Sequence, residues 1–224
     1  FTMDVLAENL YGTPASGKKY EMEIRFNRRY FAPKSYNNYN FNISEKEVTY
    51  LNNVMKTGIT GNDGKGMQQI EGFPFSDLGI VDAKIFTTVF DETGRPVNRV
   101  NTVEIATQSV FYGIRRSDTW VGTQNPLSFN FIPVDKNGKL LSGIDAEVTV
   151  VSSRYETVIE NDGNSYRYVS QRKDRTMMSQ TIRLSGSGRE IVFIPRESGE
   201  YRVLVKRPGS NSEVSLEFWA YGSG

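Results

Sequence analysis

Cysteine and histidine are both missing from the 224 residues. Without them the chain has no Ser-His-Asp or Cys-His catalytic site, no zinc finger, no thiolate redox centre and no disulfide framework. An excess of one charge is missing too: 27 Lys and Arg stand against 26 Asp and Glu. That balance gives a nucleic-acid polyanion nothing to bind by bulk electrostatics. No apolar run reaches the roughly eighteen residues of a membrane-crossing helix. The opening Phe1 to Asn9 carries Asp4 and Glu8 without a basic stretch, so neither a span nor a signal peptide is expected. The start at Phe1 and the Gly-Ser-Gly end point to a processed chain or an excised piece of something longer. Chemistry that survives these exclusions is limited to paired carboxylates, a lysine nucleophile or an all-oxygen metal site.

Rings are plentiful, with 12 Tyr, 13 Phe and 2 Trp, too much apolar surface for a disordered chain. The apolar residues alternate over short stretches: Tyr20, Met22, Ile24, Phe26; Val81, Ala83, Ile85; Phe129, Phe131; Tyr201, Val203, Val205; Val214, Leu216, Phe218. A period of two at that length predicts half-buried antiparallel strands. The best helical stretch is Ser44 to Met55, where Ser44 and Glu47 have capping-box spacing and Val48, Leu51 and Met55 fall near helical spacing. Asn62-Asp63-Gly64, Asp91 to Gly94, Asp135 to Gly138 and Asn161 to Asn164 are turns that tolerate positive φ. Phe90 to Val97 and Val134 to Leu141 echo one another as apolar, Asp, two variable residues, Gly, basic, apolar. The expectation is an all-β chain of two tandem antiparallel β-sandwich domains of immunoglobulin or fibronectin type.

The boundary between them is placed at Val110 to Ser117, giving domains 1–110 and 111–224, with Gly113, Arg115 and Arg116 as the candidate hinge. Within the second domain, 152–180 is a long polar loop or a polar hairpin. It offers Arg154, Arg167, Arg172, Lys173 and Arg175 to trypsin-like proteases, and Tyr155 and Met177 to chymotrypsin-like ones. Other motifs carry less. Asp135 to Gly138 starts like a calcium loop, yet Ala146 stands where the bidentate Glu belongs, so it reads as a hairpin turn. Asn62 to Gly66 lacks the Gly-Lys-Ser/Thr ending of a phosphate loop. Glu45 with Glu47 and Glu156 with Glu160 lack the apolar frame of catalytic acids and read as solvated charge. Tyr30, Phe31, Tyr36 and Tyr39, set among asparagines, fit either a sugar-stacking surface or strand aromatics in a core.

Asn9-Leu10-Tyr11-Gly12-Thr13-Pro14-Ala15-Ser16-Gly17, the strand Lys19 to Phe26, Tyr30-Phe31 and Tyr39-Asn40-Phe41 resemble the opening of a macroglobulin-like domain of bacterial α2-macroglobulins. Val89 to Val97, Phe111-Tyr112-Gly113-Ile114, Pro133 to Lys139 and Phe193-Ile194-Pro195 to Gly199-Glu200-Tyr201 continue the resemblance in that family's order, over most of the chain. It implies a non-catalytic fragment, without a cofactor, of a large periplasmic or cell-envelope protease inhibitor built from strung β-sandwiches. Its partners are then attacking proteases and neighbouring domains of the same chain, and any membrane attachment, as in an outer-membrane lipoprotein, lies outside these residues. In that family a protease cuts an exposed bait region and is entrapped, and a Cys-Gln thioester in a separate domain couples to it. A chain without cysteine departs from the thioester pattern and is expected near the bait region, with the bait either in 152–180 or past Gly224. The rival expectation is a cell-surface adhesion or carbohydrate-binding sandwich that uses the Tyr30 to Tyr39 aromatics.

Overall fold

The computed structural model describes residues 2–45, 51–71, 76–161, 163 and 165–222. Among them the regular structure is strand, apart from one turn of 3-10 helix at Lys34–Tyr36. The contacts divide the chain into two compact units, one of residues 1–29 and 48–108 and one of residues 30–47 and 109–224.

Unit 1 holds β1 (Thr2–Leu6), β2 (Lys19–Arg29), β4 (Val54–Ile59), β5 (Lys65–Gln69), β6 (Ile80–Phe90) and β7 (Pro96–Ala106). A four-stranded sheet ordered β4-β2-β6-β7 is accompanied by the pair β1-β5. In β2 the alternation puts Tyr20, Met22, Ile24 and Phe26 on one buried face, where they meet Val5, Ile70, Val81, Ala83 and Ile85. Burying each such side chain contributes about 1.5–3 kcal/mol.

Unit 2 holds β3 (Ile43–Glu45) and β8 (Phe111–Arg116) to β15 (Ser212–Tyr221). Between β8 and β15 lie β9 (Trp120–Gly122), β10 (Leu127–Val134), β11 (Ile144–Asn161), β12 (Tyr166–Leu184), β13 (Arg189–Phe193) and β14 (Gly199–Lys206). One sheet runs β13-β10-β8 and the other β12-β11-β14-β15-β3, with β9 alongside β15. The core between them has an aromatic cluster in which the Phe218 ring lies 5.2 Å, between centroids, from both Phe129 and Tyr201. The expected antiparallel pairing is found throughout the described strands except at β9, which runs parallel to β15 and stacks Trp120 on Trp219.

Three expectations change. The helical stretch is absent where it is described: Ser44 pairs in β3, and Val54 and Met55 open β4. Alternation along Val54–Ile59 wins over the helical spacing. Glu47 and Val48, on which the capping argument leaned, lie outside the described residues. Second, residues 1–110 are not one continuous unit. Tyr30–Glu47 belongs with unit 2, because β3 extends its sheet through β15 and Asn40 exchanges backbone hydrogen bonds with Ile114 at 2.8 and 2.9 Å. Third, of the two readings of 152–180, loop or polar hairpin, the hairpin is the one found. It forms most of a β11–β12 hairpin in pairing from Asn161↔Tyr166 to Ile144↔Leu184, with one register shift at Val150/Val151. A two-stranded ribbon wetted on both faces needs no apolar alternation, so its composition fits a loop as well as a hairpin.

The echo between Asp91 and Asp135 is a shared local structure. Each carboxylate accepts two backbone N–H groups, from Thr93 and Arg95 at 2.8 and 2.9 Å, and from Asn137 and Lys139 at 2.8 and 2.9 Å. Gly94 and Gly138 then supply φ near +78°. One turn joins β6 to β7 and the other follows β10, so it is a turn repeated rather than a domain repeated.

Candidate functional site

β14 accompanies β11 only over Glu147–Ser153. Beyond Ser153 the hairpin continues as two strands alone. Strand alternation sorts this ribbon into two faces. Tyr155, Ile159, Tyr166 and Tyr168 lie on one, all more than half exposed. Arg154, Glu156, Glu160, Arg167 and Lys173 share the other, where Arg167 meets Glu160 at 2.9 Å. Glu156 and Glu160 thus sit in solvent, one of them in an ion pair, as solvated charge does.

The root of the ribbon is tied down by groups that no sequence pattern identifies. Ser153 Oγ donates to Asp174 at 2.8 Å, and Arg172 reaches Asp174 at 3.0 Å and Glu200 at 3.3 Å. Arg202 of β14 also pairs with Asp174. Burial pushes the Asp174 carboxyl up, but the Ser153 hydrogen bond and the Arg202 and Arg172 guanidinium groups outweigh it and leave it below its ordinary value. Glu197, in the turn before β14, receives Arg154 at 2.7 Å and Arg175 at 3.0 Å. The Arg175 hydrogen bond and charge, then Arg154, hold its carboxyl low. Tyr201 Oη donates to the Glu197 carbonyl at 2.8 Å, the corner that a tyrosine makes at the start of such a strand. The Gly199-Glu200-Tyr201 step is the one sequence signal for this arrangement.

The residues read as protease-accessible therefore fall into three groups. Tyr155 and Arg167 lie on the free ribbon. Arg154, Arg172 and Arg175 take part in ion pairs at its root, and Lys173 sits opposite Arg154. Met177 is in the bulge: Val150 faces Met178 and Val151 faces Thr176, so Met177 has no partner in the register. A bulge turns successive side chains the same way, and Met177 and Met178 both pack on the unit 2 core.

The hinge residues are inside a sheet. Gly113, Arg115 and Arg116 belong to β8, opposite Ile132, Asn130 and Phe129 of β10. The Arg115 guanidinium lies 5.1 Å from the Tyr39 ring centre. Arg116 donates to Thr119 Oγ1 at 3.0 Å and to the Glu217 carbonyl. The Gly113-Ile114-Arg115-Arg116 step that reads as a flexible junction is strand, and the last of the chain's passages between the units, at 108/109, comes before it. The aromatics weighed as a stacking surface are partly spent. Phe31 lies 5.4 Å from Phe41 and 4.1 Å from Phe111 between ring centroids, and Tyr39 Oη donates to Asn130 at 2.7 Å. Tyr36 meets Tyr39 edge-on, and Tyr30 alone of the four is more than half exposed. No cluster of three acidic side chains suited to a metal occurs among the described residues.

Comparison with known proteins divides the chain near the boundary expected from the sequence and keeps 30–47 with the first domain, unlike the division by contacts. Residues 1–106 match the bacterial alpha-2-macroglobulin MG5 domain, and residues 113–222 match bacterial macroglobulin domain 6. The α2-macroglobulin of Pasteurella multocida is 22% identical over 219 residues, 95% of this chain and 11% of that protein. Native Escherichia coli α2-macroglobulin superposes with a TM-score of 0.63 at 19% identity, covering 98% of this chain and 15% of that one. The trypsin-activated E. coli protein gives a TM-score of 0.62 at 21% identity over 99% and 15%. The chain thus spans about a tenth of the curated relative, and it belongs to the bacterial α2-macroglobulin family, two of whose consecutive β-sandwich domains it contains.

Proposed function

We propose that these domains are non-catalytic scaffold in a bacterial envelope protease inhibitor, and that the outer β11–β12 ribbon is the part of them that an attacking protease reaches. The observation that carries the reading is the order of the two domain matches along the chain, MG5 then domain 6, the order expected of an α2-macroglobulin. A relative of the same fold has been captured in a trypsin-activated form, and proteases are accordingly the proposed partners of the whole protein. Thioester coupling requires cysteine, which this chain lacks, so that chemistry and any membrane anchor belong to other parts of the molecule. The proposed location is the periplasm or cell envelope.

A ribbon of two strands without a third is marginally stable and opens locally at little cost. Its outer part, 155–168, presents tyrosines and Arg167 to proteases of different specificity, whereas Arg172 and Arg175 are held by carboxylates at the root. The full-length protein, digested briefly with trypsin, chymotrypsin and a broad-specificity protease and mapped by mass spectrometry, should be cut first within 155–168 by all three. First cuts beyond Gly224 with the ribbon intact would remove the ribbon from the mechanism. Failure of the cut protein to retain any of the three proteases on size exclusion would dismiss the inhibitor reading itself.

A further inference from the structure

β9 is three residues long, and its parallel register with β15 sets Trp120 against Trp219, Val121 against Ala220 and Gly122 against Tyr221. Val121, Phe218 and Ala220 are buried in the unit 2 core. Alternation therefore turns Trp120, Trp219 and Tyr221 to the opposite, solvent face of the sheet. The core takes none of these three rings. The indoles of Trp120 and Trp219 stack with centroids 5.2 Å apart and planes 26° from parallel. Trp120 is 57% and Tyr221 60% exposed. Tyr221 follows Trp219 by two residues, about 7 Å along the strand, so the rings form a short platform.

Polar groups rim this platform. Gly122 clears room for one of them: a Cβ there would stand 2.7 Å from Asn125 Nδ2 and 3.9 Å from Tyr221 Cε2. Gly122 to Asn125 make a tight turn, closed by Asn125 N donating to the Gly122 carbonyl at 3.1 Å. Its third residue, Gln124, has φ +67°, where glycine or asparagine is the ordinary choice. Two backbone bonds hold it there, Thr123 N to Tyr221 O at 2.7 Å and Gln124 N to Pro195 O at 2.9 Å. The strained turn thus sets its amides beside the rings. On the other side Glu200 lies opposite Trp219, and Arg202 opposite Glu217. The charges there are spent on one another: Arg172 meets Glu200 at 3.3 Å and Asp174 at 3.0 Å, and Arg202 also pairs with Asp174.

Size, charge and shape choose the occupant. Trp120 and Tyr221 leave about 300 Å² of ring open, well below the roughly 800 Å² per partner of a stable protein interface. Stacking the bases of a single-stranded nucleic acid calls for a cationic groove, and here Arg172 and Arg202 are paired with carboxylates. A neutral ring with an apolar face and a polar edge fits both the indole and the amides. We propose that Trp120, Trp219 and Tyr221 bind a neutral β-1,4-linked chain of glucose-configured sugars. One pyranose stacks on Trp120, the next lies toward Tyr221, and their hydroxyls turn toward the Asn125 amide. Rings presented on one face of a sheet suit an extended chain. Equatorial linkages keep such a chain straight, whereas α-1,4 linkages coil it away from the platform.

The test uses the full-length protein and cellohexaose, with maltohexaose as the same sugar in the other linkage, followed by isothermal titration and tryptophan fluorescence. Cellohexaose should bind, and maltohexaose should bind about tenfold more weakly or not at all. Trp120→Ala should weaken cellohexaose binding about tenfold, and Trp120→Phe, which keeps a ring, should recover most of the affinity. Asn125→Ala lies outside the strands and should weaken binding while the thermal midpoint stays that of the parent, so the effect does not depend on how Trp120→Ala folds. The proposal is overturned by no binding of cellohexaose at about 1 mM, by equal binding of the two chains, or by undiminished affinity in either alanine variant.

Discussion

At the scale of single residues, close approach and one hydrogen bond set the sharpest constraints. A Cβ at Gly113 would stand 2.6 Å from Phe41 Cζ, 2.7 Å from Phe41 Cε1 and 3.1 Å from Ile132 Cγ1. Phe41 is a ring held in the core, not the free end of a flexible side chain. Gly113→Ala should therefore cost about 1–3 kcal/mol by overpacking, seen as a lower denaturant midpoint with an unchanged slope. Tyr201 is the second case. Its ring is buried against Phe218, and burial, the larger influence, raises the phenol above its ordinary value while the Glu197 carbonyl takes its proton in a hydrogen bond. Tyr201→Phe keeps the packing and removes one donor, so the expected loss is about 0.5–1.5 kcal/mol, measured in the same denaturation series. That Tyr201 packs inward was legible in the alternation of Tyr201, Val203 and Val205. That its hydroxyl meets Glu197 depends on how the preceding turn folds back.

Among the elements, the β11–β12 hairpin is governed by charge at its root and by little else beyond it. Glu197 and Asp174 both have carboxyls lowered in the folded protein. Groups of this sign contribute stability above their unfolded value, about 4, and lose it as pH falls through the lower folded value. Acidification to about pH 3 should speed exchange in residues 171–175 before Phe129–Phe131 responds. Glu197→Gln should reproduce part of that acceleration at neutral pH. Equal response of the root and the core to acid would show that these pairs do not hold the ribbon. The sequence marks this run as polar and exposed, and it is both. It left loop and hairpin both open, because two wet faces leave no periodic trace, and Glu197 and Glu200, two of the carboxylates that order it, lie more than twenty residues later.

For the molecule as a whole, the two cores are separate clusters, each closed within its own unit. None of the fully buried residues of the unit 2 core lies between Val151 and Ile182. Replacing residues 155–172 by Asn-Gly, which joins Arg154 to Lys173 across a two-residue turn, should leave the thermal midpoint within about 4 °C of the parent. A larger fall, followed by circular dichroism, would mean that the ribbon supports the sandwich. The all-β class, the two-sandwich plan and the family resemblance all follow from local pattern: alternation over five to ten residues, turns with Asp and Gly, and motifs in a fixed order. The absence of cysteine and histidine is equally a property of the sequence alone, and it removes whole classes of chemistry whatever the fold. Tertiary structure decided the rest. It gave residues 30–47 to the second unit through the pairing of β3 with β15, turned the Gly113–Arg116 step into a core strand against β10, and chose the hairpin over the loop for 152–180. Each is a strand pairing, and strand pairing depends on which edges meet in space, which the residues along any one strand do not encode.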